Sequence, residues 1–450
     1  MERWSPAERS RVYAWYVVAI LTLANVSAYI DSQILSLLVT PIKRDLGITD
    51  TQMSYLGGIA FALFYTILGL PIARLADRAN RRNIMAAGIG LWSVFTSLCA
   101  TANGYGRLLL YRVGVGAGEG SLNAPGVALL ADYFPREKLG RAMSVYSLGI
   151  FLGSGIAYYV GGAIVDVIST AHQVTLPLIG AVREWQTVFL AIGLPGFVVT
   201  ALFFTIREPP RGVARGETAS HRPQSFRVLF RYVAANRRTY ITHSLGFALS
   251  AMANIAIAFW LATFFHRTYG WDAGRAGRVM GLLTATVGVV GALSGGWVAD
   301  WFVRRGRVDG PLRAGIVGAA GMLVSATALP LAPSARAAVG WLVVVNFFAA
   351  FPWGAASAAA AEIAPAPLRA QGAALYFFVL NIVSLALGPT SVALITDYVF
   401  HDDMALRYSL AIVNVVGMAG AIALLTAGLP AYRRTLAYRE SWIPEDDSSD

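Results

Sequence analysis

The sequence predicts an all-α membrane protein with twelve transmembrane helices arranged as two related bundles of six. Three observations carry that prediction. Of 450 residues, 56% are hydrophobic and 14% charged, with a mean hydropathy of +0.57. An average soluble domain has roughly 25% charged residues, so this chain has too little charge to cover a soluble surface. Apolar runs near the ~20 residues needed to cross a bilayer recur twelve times. One loop pattern also appears twice at a fixed offset, which divides the chain into halves.

In chain order, helices 1 to 12 are read at 14–39, 53–73, 84–103, 106–131, 142–165, 186–206, 239–265, 277–300, 312–332, 337–361, 369–396 and 408–431. Helix 1 is too long for a signal-peptide core and no small-residue cleavage site follows it, so it is expected to stay in the mature protein. Helix 4 carries Gly114-x-Gly116-x-Gly118-x-Gly120. With no strand before it, this is a close-packing stripe and not a nucleotide loop. The longest connection, 207–238, holds eight arginines, two glutamates and Pro209-Pro210. It is read as a cytoplasmic linker that meets anionic lipid headgroups. The expected organisation is a six-helix bundle over 1–206, the linker over 207–238, a second bundle over 239–432 and a tail over 433–450.

An even number of spans puts both termini on one side. Loops and termini on that side hold 26 Lys and Arg, against 9 in the opposite loops, with Arg112 inside a helix. The rich side is expected to be cytoplasmic, in a multi-pass cell-membrane (inner-membrane) protein. The same placement explains the net charge of +11 without nucleic acid. A single cysteine, Cys99, permits no intrachain disulfide, and five scattered histidines form no zinc pattern. No metal or cofactor is expected. Neither H-E-x-x-H nor G-x-S-x-G occurs, and an enzyme is not expected.

The repeat is Ala73-x-x-x-Asp77-x-x-x-Arg81-Arg82 after helix 2 and Gly296-x-x-x-Asp300-x-x-x-Arg304-Arg305 after helix 8, offset by 223 residues. A fainter echo, Asp132-x-x-Pro135 and Glu362-x-x-Pro365, is offset by 230. Duplicated halves imply a substrate site near the bilayer midplane. The loop RLADRANRR resembles the signature between helices 2 and 3 of the major facilitator superfamily, matched at Asp77, Arg78, Arg81 and Arg82, with Ala73 and Asn80 in place of its usual glycines. The resemblance implies the major facilitator fold. Asp77 at a helix end is suited to accept hydrogen bonds from a neighbouring helix N-terminus, and the arginines to face lipid or acids such as Asp132. Asp77, Arg78, Arg81, Asp132, Arg141, Asp300 and Glu362 are therefore the expected conformational latch.

The segments AYIDSQILSLLVTPIKRDLGITDTQMSYLGGIAFALFYTILGLPIARLADR and YRVGVGAGEGSLNAPGVALLADYFPREKLGRAMSVYSLG resemble the spinster branch of that superfamily over roughly the first third of the chain. The resemblance implies transport of lysophospholipids or sphingosine phosphate-like amphiphiles, in some members coupled to protons. One departure stands out. Branch members commonly have arginine after the helix 1 aspartate, whereas this chain reads Tyr29-Ile30-Asp31-Ser32. A headgroup contact made by that arginine does not carry over.

Three ionisable residues lie deep in the first half: Asp31, Arg112 and Glu119. Each costs about 2.5–3.5 kcal/mol at the bilayer centre on insertion scales, so each needs a partner or a watery cavity. Asp31 and Arg112 lie at similar depth and pair if helices 1 and 4 touch. Glu119 stands on the same face of helix 4, about 10 Å deeper, and Asn123 continues the stripe. A carboxylate's hold on a proton depends on whether an arginine is beside it. The three are therefore read as a proton relay, the role the resemblance also implies.

The second half has no deep charge but many aromatics. Asn254, Trp260, Trp353, Tyr376 and Asn381, with Asn123 from the first half, are the expected cavity residues, suiting a substrate with a polar head and an apolar tail. His243 is expected to be interfacial, near the end of helix 7. The function expected is alternating-access, proton-coupled transport of a lysolipid-like amphiphile by a monomer whose other partners are membrane lipids. The alternative is transport of small organic anions or drugs, and a non-transporting receptor or scaffold ranks below it.

Overall fold

The computed structural model describes residues 11–76, 78–134, 136–170, 174–176, 180–209 and 226–442. It is helical at all twelve expected positions. Among the described residues, nine helices are long and apolar enough to cross a membrane. The remaining positions, helices 3 to 5, are Arg81–Cys99, the broken pair Tyr105–Glu119 and Asn123–Tyr133, and Arg136–Thr170. Three features were not legible in the hydropathy pattern. A short hairpin pairs Val174–Leu176 with Gly180–Val182 between helices 5 and 6. Phe226–Ala235 is helical inside the expected linker, and helix 12 runs Leu406–Ser441, into the expected tail. Residues 210–225 of that linker and 443–450 of that tail lie outside the described residues.

The chain forms two compact units that differ from a simple six-and-six division: Met1–Ala219 with Phe259–Ala285, and Ser220–Ala258 with Thr286–Asp450. The end of helix 7 and the start of helix 8 thus belong to the first unit. The physical reason is a seam of small residues where helix 8 lies against helix 5. A Cβ at Gly281 would stand 2.5 Å from the Gly155 carbonyl oxygen, and one at Gly277 2.6 Å from that of Tyr158. Only hydrogen at these positions lets the two backbones meet. Helix 4 uses the same device. Cβ atoms at Gly116 and Gly118 would stand 2.7 Å from the backbones of helices 2 and 3, at the Phe61 and Gly88 carbonyl oxygens. The glycine stripe read from the sequence is therefore a packing surface. At the far end of this unit, fully buried Asp50 accepts from Arg267 at 2.6 and 2.7 Å and from Lys43 at 2.9 Å, tying the start of helix 2 to the end of helix 7.

Each half of the chain carries a buried charge at the start of its third helix, paired with an opposite charge in or just after its sixth, with the signs exchanged. In the first, Arg81 reaches Glu208 at 2.7 Å and Asp132 at 2.7 Å. In the second, fully buried Asp309 accepts from Arg433 at 2.7 Å and Arg313 at 3.0 Å. Around this second clamp the core gathers Tyr232, Tyr240, Leu312, Leu425 and Tyr432.

Burial by itself would raise the Asp309 carboxyl, but its two guanidinium partners outweigh it and hold the group below the usual carboxylate range. The stability this contributes is complete above the unfolded pKa of about 3.9 and is lost as pH falls through the lower folded value. Melting temperature should accordingly fall on acidification below about pH 4. Asp309→Asn should cost about 1–3 kcal/mol at neutral pH and flatten that acid limb. Cys99, fully buried and the chain's one cysteine, supplies the readout, since a thiol-reactive dye labels it on unfolding. By the same readout Gly281→Val should cost at least about 1–3 kcal/mol, because backbone stands where its Cβ must go.

Candidate transport site

Helices 1, 3 and 4 bring together the first part of the site. Asp31 and Arg112 are each 1% exposed, and Arg112 Nη1 donates to Asp31 Oδ1 at 2.9 Å. The Thr96 hydroxyl donates to the other carboxylate oxygen. The Arg112 guanidinium also lies 5.9 Å from the Phe61 ring centre. Two opposite charges removed from water need this closeness, since either one alone would be left buried and uncompensated. The expected pairing across helices 1 and 4 is present.

Glu119 is placed differently. It is 6% exposed, and among the described residues it is not paired with Arg112. The hydrogen bond it accepts comes from the Ser32 hydroxyl, at 3.2 Å to Oε2 and 3.4 Å to Oε1. Ser32, the departure noted in helix 1, therefore faces this acid directly. Helix 4 stops at Glu119, turns through Gly120–Leu122, and resumes at Asn123. The turn keeps its backbone satisfied, with the amides of Gly120, Ser121 and Leu122 donating to Gly116, Gly118 and Glu119 carbonyls. That satisfaction is the condition for breaking a helix in a membrane.

Asn123 is exposed and donates to the Tyr65 hydroxyl at 2.8 Å, while the Tyr146 hydroxyl donates to its carbonyl oxygen at 3.3 Å. Asn25 is 3% exposed and lies beside Tyr146 in the same unit. Sequence reasoning singled out Ser32 but not its contact with Glu119, and it missed Tyr65, Thr96 and Tyr146. The signal available was a polar group inside an apolar span, which is too common for hydroxyls to single these out.

The second unit contains a cleft of about 440 Å³, including the space open at its mouth. Of the expected cavity residues, Asn254, Trp353 and Tyr376 line it, joined by Phe247, Ser250 and Phe377. The Asn254 amide makes a long contact, 3.5 Å, to the Ala349 carbonyl. Helix 10 breaks beside this cleft, ending at Ala350 and resuming at Trp353 after Phe351-Pro352. Pro352 cannot donate an amide hydrogen. This break lies 230 residues after the one in helix 4, the same offset as the weaker sequence echo.

Two cavity residues stand elsewhere. Trp260 is fully buried in the first unit, edge-on to Phe259 at 5.1 Å, and Asn381 is partly buried at the end of Arg369–Asn381, outside the cleft lining. His243 is a correction. It is fully buried, not interfacial, with its ring 5.0 Å from Tyr376 and 5.1 Å from Phe247, and Nε2 3.2 Å from the Ala356 carbonyl oxygen. His243 stays near the start of Arg237–Tyr269, and its burial comes from the neighbours its ring faces, Phe247, Tyr376 and the Ala356 carbonyl.

The latch residues separate into groups. Arg81 and Asp132 pair as expected, with Glu208 as a second acid that the sequence did not single out. Arg78 and Arg141 are exposed, and Asp77 lies outside the described residues. In the second unit Asp300 is exposed, and Glu362 accepts from the Tyr432 hydroxyl at 3.0 Å.

The Asp31–Arg112 pair yields an asymmetry that thermal unfolding should detect. Arg112→Leu leaves a buried carboxylate unpaired and should cost about 3–5 kcal/mol. The double variant Asp31→Asn/Arg112→Leu should recover part of that loss. Equal destabilisation by the single and double variants would contradict the pairing.

The chain matches the model of the Major Facilitator Superfamily over residues 21–389. It is 26% identical over 325 residues to the protein spinster of Drosophila melanogaster, covering 70% of this chain and half of the fly protein. It is 25% identical to an MFS-type efflux pump of Mycolicibacterium smegmatis, covering 94% of each. Among solved structures, a bacterial homolog of the human lysosomal transporter spinster, inward-facing and unoccupied, has a TM-score of 0.77. The two share 25% identity over 97% of this chain and 100% of that one. The duplicated helices, the intramembrane charges and these matches agree: the chain belongs to the Major Facilitator Superfamily of transporters and resembles its spinster branch.

Proposed function

We propose that the protein is a proton-coupled secondary transporter of a lysolipid-like amphiphile, with Glu119 as the proton-carrying group. The observation that supports this most is the contrast between its two buried acids. Asp31 is held by Arg112 and Thr96, whereas Glu119 is held by one hydroxyl, at 3.2 and 3.4 Å, beside a break in helix 4. An acid with a fixed cationic partner is a structural element. One with a weak neutral partner at a helix break can take up and release a proton as its surroundings change. Arg112 then tunes the site from its fixed place on Asp31.

The amphipathic substrate follows from the chemistry of the two units. One offers a polar, charged site, and the other an aromatic cleft with an amide and hydroxyls among its lining. Alternating access, the latch role of the Arg81 cluster, a monomeric state and cytoplasmic termini complete the reading.

The test is uptake of labelled lysophospholipid into proteoliposomes with and without an imposed pH gradient. Wild type should show gradient-dependent flux, and Glu119→Gln should reduce the gradient-dependent part at least about tenfold, the loss expected when a titrating group is removed from the driving step. Flux of Glu119→Gln at the wild-type rate under the gradient would rule out the assigned role. Asp31→Asn should act mainly by destabilising the protein, seen as a lowered melting temperature alongside lowered flux.

A further inference from the structure

The cleft of the second unit offers hydrogen-bonding groups but no charge. Ser250, Asn254 and Tyr376 line it, and among the described residues no acid, lysine or arginine does. The break in helix 10 brings a backbone acceptor to the same wall, the Ala349 carbonyl, which the Asn254 amide meets at a long 3.5 Å. Behind that wall stands a buried polar atom with nothing to bond. His243 lies one helical turn before Phe247, on the same face of Arg237–Tyr269 as Ser250 and Asn254. Its ring packs on Phe247 at 5.1 Å and on Tyr376 at 5.0 Å, and Nε2 stands 3.2 Å from the Ala356 carbonyl oxygen. All three neighbours are residues of the cleft wall. A carbonyl only accepts, so Nε2 carries the hydrogen, and the neutral ring presents Nδ1 as an acceptor. His243 is fully buried, and among the described residues its Nδ1 has no hydrogen-bond partner. A buried acceptor left unmet costs free energy that a bound hydroxyl would recover.

We infer that this cleft binds an uncharged group bearing several hydroxyls, as in a polyol or sugar head, and that His243 Nδ1 accepts from one of those hydroxyls. This rests on the transport reading above and adds to it the chemistry of the head that the second unit recognises. An ion entering the cleft would lose its hydration and find no opposite charge in the lining. A hydroxyl both donates and accepts, and the wall supplies both counterparts. The Ala349 carbonyl and the Asn254 side-chain oxygen accept, while the Ser250 and Tyr376 hydroxyls donate. Phe247 and Trp353 offer flat apolar faces for the C–H side of the same group. A shift of Tyr376 or Phe247, of the side-chain kind that commonly accompanies binding, brings Nδ1 to the ligand. His243 is then the specificity-determining residue, because an ether in place of the hydroxyl leaves its buried acceptor unpaired.

Equilibrium binding tests this without vesicles or a gradient. Purified full-length protein in polyoxyethylene-detergent micelles, which carry neither sugar nor charge, is titrated calorimetrically with hexyl glucoside, its per-O-methylated ether, hexyl sulfate and hexyltrimethylammonium. The glucoside should bind at least about fivefold more tightly than the ether, the factor that matches one buried hydrogen-bonding group left unpaired. Tyr376→Phe and Asn254→Leu should each remove about that factor for the glucoside and leave the ether unchanged. His243→Gln keeps an amide donor for the Ala356 carbonyl but loses the Nδ1 acceptor. It should narrow the preference for glucoside over ether, which a purely structural role would not move. The two ions should bind wild type and variants alike, because neither enters the cleft. Equal binding of glucoside and ether, ion binding lost in the same variants, or glucoside affinity unchanged by Tyr376→Phe and Asn254→Leu would overturn the inference. So would the absence of glucoside binding. The glucoside–ether comparison is made on wild type, so it stands even where a variant's melting curve shows that it has not folded. Gradient-driven lysophospholipid flux with equal binding of glucoside and ether would leave the transport reading standing without this site. Selective glucoside binding with no flux would instead fault the transport reading.

Discussion

The Arg112 guanidinium is accommodated inside an apolar bundle by Asp31, 2.9 Å away, and much of the first unit is arranged around that pair. The pair holds helix 4 to helix 1, and Thr96 adds helix 3 by satisfying the remaining carboxylate oxygen. Helix 4 comes close enough to its neighbours only because its face toward helices 2 and 3 is glycine. With the guanidinium committed to Asp31, Glu119 is left with a serine for company. The inequality between two acids seven and more residues from the same arginine is thus a consequence of packing, and the functional reading follows from it.

The backbone obeys the same solvent rule as the charges. A helix can break within a bilayer only where its freed amides and carbonyls are satisfied or buried in protein. Helix 4 breaks at Gly120–Leu122 with its amides bonded back one turn, and helix 10 breaks at Phe351-Pro352 where a missing donor makes the break inexpensive. The two interruptions are equivalent in the repeat, and each adjoins the polar or aromatic site of its own unit. The position of the break is common to both halves, and the chemistry beside it differs.

The clamps at the start of helices 3 and 9 carry the same lesson further. Arg81 with Glu208, and Asp309 with Arg433, join equivalent places with opposite signs. What a buried pair needs is complementarity at short range, and either order of charges supplies it. A motif search keyed to Asp77 and Asp300 does not find this correspondence, because Asp309 lies outside the repeated letters and its partner is more than a hundred residues away.

The sequence by itself determined the class, the positions of the helices and which three ionisable residues lie deep in the first half. Each is a local consequence of putting about twenty apolar residues, or one rare charge, into a bilayer. The helix 4 glycines were legible as packing for the same reason, since small residues at regular spacing have few other uses in a span. Tertiary structure decided the rest. Ser32 reads only as a missing arginine until helix 1 sets its hydroxyl against Glu119, and His243 reads as interfacial until Phe247 and Tyr376 enclose it. Trp260 reads as a cavity aromatic until the end of helix 7 packs into the first unit. Hydropathy reports how deep a residue lies in the membrane. It carries no information about which neighbour a side chain meets at that depth, because the meeting is set by helix rotation and by contacts between residues far apart in the chain.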